Sequence, residues 1–191
     1  MIKIFVTGGS GFIGSNFIIN QIVKYKNNIF NYDKLTYAGN KDNLKKIESN
    51  SLYFFKQGDI LQNDKLYQCI CDFKPDYIVN FAAESHVDRS IDGPKEFINT
   101  NIVGTYELLQ ATLYYYNLLD DKIKENFRFL HVSTDEVYGS LGKEGYFSET
   151  TPYNPSSPYS ASKASSDHLV KAWHHTYGLP ILITNCSNNY G

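Results

Sequence analysis

A tyrosine and a lysine stand four positions apart in Tyr159-Ser160-Ala161-Ser162-Lys163. On a helix that spacing puts both side chains on one face. An ammonium beside a phenol stabilises the phenolate and lowers its pKa, which makes the tyrosine a usable base for taking a proton from a hydroxyl. The chain holds 16 tyrosines, so such a pair arises readily by chance and gains weight only from what surrounds it. A second cluster, Ser133-Thr134-Asp135-Glu136, closes an apolar run. At the carboxyl end of a parallel strand, hydroxyls and carboxylates project into the crevice where ligands bind. Taken alone, the same residues also read as a polar strand end and a solvated turn. A third cluster, Thr7-Gly8-Gly9-Ser10-Gly11-Phe12-Ile13-Gly14, contains both Gly9-x-Gly11-x-x-Gly14 and Gly8-x-x-Gly11-x-x-Gly14. Glycines there permit a tight turn and let backbone approach a pyrophosphate, and the helix that follows offers free N–H groups and the positive end of its dipole. Asp33 lies 19 positions beyond Gly14, at the end of the second apolar run. A carboxylate there can accept hydrogen bonds from an adenosine ribose and would repel a 2′-phosphate, which favours NAD over NADP.

Other reactive side chains carry less. His131 falls inside an apolar run and is expected to be a satisfied core histidine. His168, His174 and His175 share one helical stretch without the spacing of metal ligands, and no metal site is expected. Cys69, Cys71 and Cys186 match no zinc pattern and are expected to be reduced thiols in a cytoplasmic protein. Hydrophobic residues make up 42% of the chain and charged residues 20%, with a net charge of -2. That balance belongs to a globular domain and gives no electrostatic reason to expect nucleic acid or a membrane as partner. No apolar run approaches the ~20 residues of a membrane span. The opening residues run straight into the glycine turn, with no pattern of a signal peptide.

The elements that must hold these groups alternate regularly. Apolar runs at 2–7, 29–32, 52–56, 77–81, 127–133 and 181–185 read as strands. Between them, 12–24, 42–47, 64–72, 95–116 and 160–177 read as helices, with Pro75 stopping the third and Gly178 and Pro180 ending the last. Strand and helix in strict alternation imply an α/β fold with a parallel sheet covered on both faces. The stretch 139–158, rich in Gly, Pro, Ser and Tyr, is long for a connection and reads as an active-site loop.

The glycine turn together with Tyr159-x-x-x-Lys163 resembles the extended short-chain dehydrogenase/reductase family. More narrowly, Phe81-Ala82-Ala83-Glu84-Ser85-His86-Val87-Asp88-Arg89-Ser90, Ser133-Thr134-Asp135-Glu136-Val137-Tyr138-Gly139 and Asn185-Cys186-Ser187-Asn188-Asn189-Tyr190-Gly191 are similar to the dTDP-glucose 4,6-dehydratases within it. The resemblance runs from the first strand to the last residue. It implies a Rossmann-type doubly wound sheet of six strands in the order 3-2-1-4-5-6, with NAD as cofactor and dTDP-glucose as substrate. In the cycle it implies, the sugar is oxidised at C4, water is eliminated across C5 and C6, and the hydride returns to C6. Tyr159 and Lys163 match the oxidation pair, and Thr134 the hydroxyl that bonds the C4 oxygen. Asp135 matches the acid at C6 and Glu136 the base at C5. Around the cofactor, the resemblance implies contacts from Gly8, Gly11, Phe12, Ile13, Gly14 and Asp33. Asp59 and Ile60 match the adenine contact, Phe81, Ala82 and Ala83 the stretch beside the ribose, and Thr100 a further contact.

Ser85 and Asn188 match sugar or nucleotide contacts, although Ser85 reads equally as a loop cap. His86 reads as loop structure or substrate-side packing. A homodimer is implied, with Leu108, Tyr115, Leu169 and Trp173 turned toward the partner; the competing expectation packs them on the sheet. Family members continue for nearly as long again. The resemblance therefore implies that 1–191 is one NAD-binding domain carrying the catalytic residues, and that a C-terminal nucleotide-sugar domain is missing. Another nucleotide-sugar dehydratase, a 4-epimerase and a non-catalytic NAD-binding fragment remain as alternatives.

Overall fold

The computed structural model describes residues 1–142 and 144–190. Six parallel strands form one sheet: β1 (Lys3–Thr7), β2 (Asn28–Asp33), β3 (Tyr53–Gln57), β4 (Tyr77–Asn80), β5 (Arg128–Thr134) and β6 (Ile181–Cys186). Their order is β3-β2-β1-β4-β5-β6, a Rossmann-like arrangement as expected. Because β1 is central, both of its faces are closed. Ile4 and Val6 point to one layer, where they meet Ile18 and Ile22 of α1 (Phe12–Val23) with Leu44 and Ile47 of a 3₁₀ stretch, Lys41–Ile47. Phe5 points to the other layer, onto Leu66 and Ile70 of α2 (Asn63–Phe73). Full burial of such a side chain contributes roughly 2–3 kcal/mol, so the alternation along β1 fixes which layer each helix joins.

Between β4 and β5 the chain departs from the single long helix expected over 95–116. It turns helical earlier, as α3 (Val87–Asp92) and α4 (Pro94–Phe97), then passes through a π-helical stretch, Ile98–Gly104, into α5 (Thr105–Asn117). Pro94 has no N–H to continue α3 and suits the first position of a new helix, so the break falls at Gly93. A single turn, α6 (Asp121–Lys124), leads to β5. The last helix, α7 (Pro158–Tyr177), begins two residues before its expected start. Ser157 caps it through a reciprocal bond with Ser160, and Pro158 takes the first turn.

Leu108 and Tyr115 face inward, contrary to the outward placement implied for them. Both are buried in the same cluster as Phe5 and Val170, because their spacing of seven puts them on the sheet-facing stripe of α5. Leu169 and Trp173 are partly buried against that cluster. Among the described residues, no helix is long and apolar enough to cross a membrane.

Candidate active site

The turn after β1 is shaped by close backbone contact. Gly8 has φ +70°, and a Cβ on it would lie 2.4 Å from the Ala82 nitrogen. A Cβ on Gly14 would lie 2.6 Å from the Gly8 carbonyl oxygen. Gly11 is different, since a Cβ there would meet nothing nearer than 3.5 Å. The turn is thus locked at Gly8 and Gly14 and open at Gly11, an unobstructed backbone cradle at the head of α1 that fits a pyrophosphate. Asp33 braces it, accepting the Ser10 N–H at 2.8 Å and the Leu35 N–H at 2.7 Å.

A cleft of about 400 Å³ runs across the carboxyl ends of the strands. Asp33, Asp59 and Ile60 line one end, where Lys34 and Asp59 pair at 2.8 Å. Gly8, Gly11, Phe12, Ile13 and Gly14 line one wall, with Phe81, Ala82, Ala83 and Thr100 also at its edge. Ser85, Thr134, Glu136, Tyr159, Lys163 and Asn188 line it as well. Asp135 lies in an adjoining hollow shared with Glu136, Phe147 and Asn188. The structure therefore brings every sequence-expected site residue to this cleft or to the hollow beside it. Gly191, which closes the last resembling stretch, lies outside the described residues.

Register places the reactive end. β5 pairs with β6 from Phe129 and Ile181 to Thr134 and Cys186, so Thr134 sits at the last rung. Its hydroxyl accepts the Glu136 N–H at 3.2 Å and caps a 3₁₀ turn, Asp135–Tyr138, that presents both carboxylates. Tyr159, 8% exposed, reaches Thr134 from the first turn of α7. Burial pushes its phenol up to about 12, while the hydrogen bond with Thr134 opposes that and Glu136, Asp135 and Asp167 add to it. This is opposite to the lowering expected from the neighbouring lysine. Lys163, 3% exposed, donates to the Val132 carbonyl at 2.8 Å, and burial pulls its ammonium down to about 8 against the pull of Asp167 and Cys186. Burial, then Asp135, raises Glu136, which brings that carboxylate closer to a neutral working pH.

The loop before α7 closes this end. Asn154 N–H donates to the Val137 carbonyl at 2.9 Å, and Gly139, at φ +88°, leaves room for the Asn154 carbonyl that a Cβ would strike at 2.5 Å. His131 is buried and bonded at both ring nitrogens, to Asn80 at 3.1 Å and Ser166 at 3.1 Å. His86 is exposed at the head of α3. Among the described residues, no group of His, Cys, Asp and Glu could hold a metal ion.

Three residues near the site escaped the sequence reading. Asn101, in the π-helical stretch, accepts the Glu84 N–H at 2.8 Å and donates to the Glu84 carbonyl at 2.9 Å and to Ser162 at 2.8 Å, so it ties the loop after β4 to α7. Lys34 pairs with Asp59 across the rim. Asp167 lies fully buried behind Lys163. Only Asp167 left a signal, a Lys163-x-x-x-Asp167 spacing that continues the Tyr159 face of the helix.

A family model described as GDP-mannose 4,6 dehydratase matches residues 5–191, and the chain belongs to that family. The chain is 58% identical over 186 residues to a dTDP-glucose 4,6-dehydratase of Xanthomonas campestris pv. campestris, covering 97% of this chain and 53% of the relative. It is 55% identical to one of Neisseria meningitidis, covering 100% of this chain and 54% of the relative. The chain thus spans about half the length of the curated relatives it matches. Among solved structures, a dTDP-glucose 4,6-dehydratase of Streptomyces venezuelae with NAD bound superposes with a TM-score of 0.90 at 43% identity, covering 100% of this chain and 57% of the other. A UDP-glucose 4-epimerase of Thermotoga maritima gives 0.84 at 27% identity, with coverage of 100% and 57%.

Proposed function

We propose that residues 1–191 form the NAD-binding domain, with the catalytic residues, of a dTDP-glucose 4,6-dehydratase, a hydro-lyase that yields the 4-keto-6-deoxy sugar nucleotide. The observation that carries the reading is the meeting of two acid–base sets at one end of the cleft. Tyr159 and Lys163 come from α7, and Thr134, Asp135 and Glu136 from the end of β5. A plain dehydrogenase or a 4-epimerase needs only the first set.

Gly8, Gly11, Phe12, Ile13 and Gly14 would hold the pyrophosphate side of NAD, with Asp33 at the adenosine ribose. Asp59 and Ile60 would meet the adenine, and Phe81, Ala82, Ala83 and Thr100 would line its path. NAD supplies the hydride acceptor and donor of the cycle. The chain's own groups move the protons. Tyr159, beside the Lys163 ammonium, takes the proton from the sugar O4 while Thr134 bonds the same oxygen. Glu136 takes the proton from C5, made acidic by the new carbonyl at C4. Asp135 protonates the C6 hydroxyl as it leaves as water. Adjacent carboxylates in opposite roles titrate as a coupled pair. Ser85 and Asn188 contact the sugar nucleotide.

The protein works in the cytoplasm as a homodimer. Three free cysteines and the absence of a membrane-spanning helix among the described residues accord with that compartment. Tyr106 and Tyr177, exposed on α5 and α7, meet the partly buried Trp173 edge to face and offer the partner an aromatic surface.

Proton NMR of dTDP-glucose with NAD and the protein in deuterated water tests the reading. The expected product is a 4-keto-6-deoxy sugar carrying deuterium at C5, and Asp135→Asn or Glu136→Gln is expected to cut its rate by 10²-fold or more, on the order that acid–base catalysis contributes. A 4-epimer as product, or unchanged turnover in those two variants, overturns it.

A further inference from the structure

Asp167 is 0% exposed and sits one helical turn beyond Lys163. Three neutral donors converge on one of its oxygens: Ser133 from β5 at 2.8 Å, Tyr153 from the loop before α7 at 3.0 Å, and Asn185 from β6 at 3.3 Å. Its other oxygen, Oδ1, has no hydrogen-bond partner among the described residues and lies 3.5 Å from the ring of His131. Burial drives that imidazole well below its ordinary range, so it stays neutral and cannot serve as the counter-ion. The remaining buried cation on this face is the Lys163 ammonium, whose own hydrogen bond goes to the Val132 carbonyl, between the two β5 residues that face Asp167. A carboxylate out of water is tolerated only when paired or richly hydrogen-bonded, and the same holds for the ammonium.

Resting on the dehydratase reading, we propose that Asp167 is a positioning residue whose buried negative charge keeps Lys163 an ammonium and so keeps the Tyr159–Lys163 pair in its working form. Asp167 acts through Lys163 and does not touch substrate. Asp167 makes no direct ion pair with Lys163 among the described residues, so its charge acts through space across one turn of α7, while the three donors fix the carboxylate so that it cannot swing toward the cleft. Around Lys163 lie Tyr159 and Asp167 on the same face of α7, His131 and the Val132 carbonyl from β5, Cys186 from β6, and Thr134 and Glu136 on the same cleft wall. Of the nearby acids, Asp167 has the largest influence that favours the ammonium. A purely structural Asp167, serving only to tie β5, β6 and the loop to α7, would leave the charge of Lys163 unaffected.

The test is a pH titration of the Lys163 side chain by nitrogen-15 NMR in the wild type and in Asp167→Asn, which keeps an oxygen for the three donors and removes the charge. The midpoint is expected to fall by about one pH unit or more. In sugar-nucleotide turnover, the alkaline limb of the pH profile is expected to move down with it. An unmoved midpoint in folded Asp167→Asn overturns the proposal. Should that variant not fold, Tyr153→Phe removes one donor and weakens the acid; a smaller fall is then expected, and no fall overturns the proposal. The titration needs no substrate. A lowered midpoint alongside a 4-epimer as the wild-type product would therefore sink the dehydratase reading and leave the counter-charge standing.

Discussion

Burial drives the protons of Tyr159 and Lys163 in opposite directions, the phenol up to about 12 and the ammonium down to about 8. Each shift favours the uncharged form, so the fold holds the pair at a cost that pH can reveal. The unfolded lysine keeps its proton up to about 10.5 and the folded one releases it near 8. Between those values the unfolded state binds more protons, and the Lys163 contribution to stability rises with pH. The stability of the wild type relative to Lys163→Met is therefore expected to increase from pH 8 to 10.5, by at most on the order of 3 kcal/mol, as read by urea unfolding at stepped pH. A flat difference would mean that the amine is better hydrated than its burial implies. The pair itself was legible from its spacing once the glycine turn gave that spacing a context. Asp167 was not, because an aspartate in mid-helix reads as part of a solvated face, and only the packing of β5 and β6 across it reveals that it is closed off.

Among the elements, the glycine turn separates two kinds of constraint that look alike in sequence. Gly8 needs a positive φ and lies against the Ala82 backbone, so Gly8→Ala must strain the turn and displace the segment that follows β4; a loss of more than about 2 kcal/mol is expected in chemical denaturation. Gly11 has room for a methyl group at ordinary contact distance and lines the cleft, so Gly11→Ala is expected to fold normally and to weaken NAD binding measured by calorimetry. At α7, Ser157→Ala removes one half of the capping box and is expected to cost about 1 kcal/mol. The strands and α1, α2 and α7 were legible to within about two residues because their apolar periods are strong. The region between β4 and β5 was not. Its break depends on Gly93-Pro94, and its π-helical stretch carries Asn101, whose bonds to Glu84 and Ser162 belong to tertiary structure that no local pattern encodes.

Across the whole molecule, the cleft joins the carboxyl ends of β1, β2, β4 and β5, so a ligand filling it ties both halves of the sheet together. NAD at a hundredfold excess over its dissociation constant is expected to stabilise the fold by about 2.7 kcal/mol, a rise in Tm of roughly 5–10 °C for a domain of this size. NADP at the same concentration is expected to give far less, because Asp33, in its proposed place at the adenosine ribose, would repel the extra phosphate. A scanning-fluorimetry comparison of the two decides this, and equal shifts would remove Asp33 as the discriminating group. The parallel sheet was legible from alternation, but the strand order came only with the family resemblance, because alternation does not say that the chain returns past β1 between β3 and β4.

The central position of β1 also sets an order in time. Lys3 pairs with Asn28, close behind it in the chain, whereas Ile4 must wait for Tyr77 on its other side. During synthesis the β1–β2–β3 half can assemble while the opposite edge of β1 is still bare, and distant pairings of this kind are slow to form. Of the six strands, the one that leads into the glycine turn precedes the others and is enclosed late, so a nascent chain passes through a stage with an open sheet edge that a chaperone or a stray strand can reach.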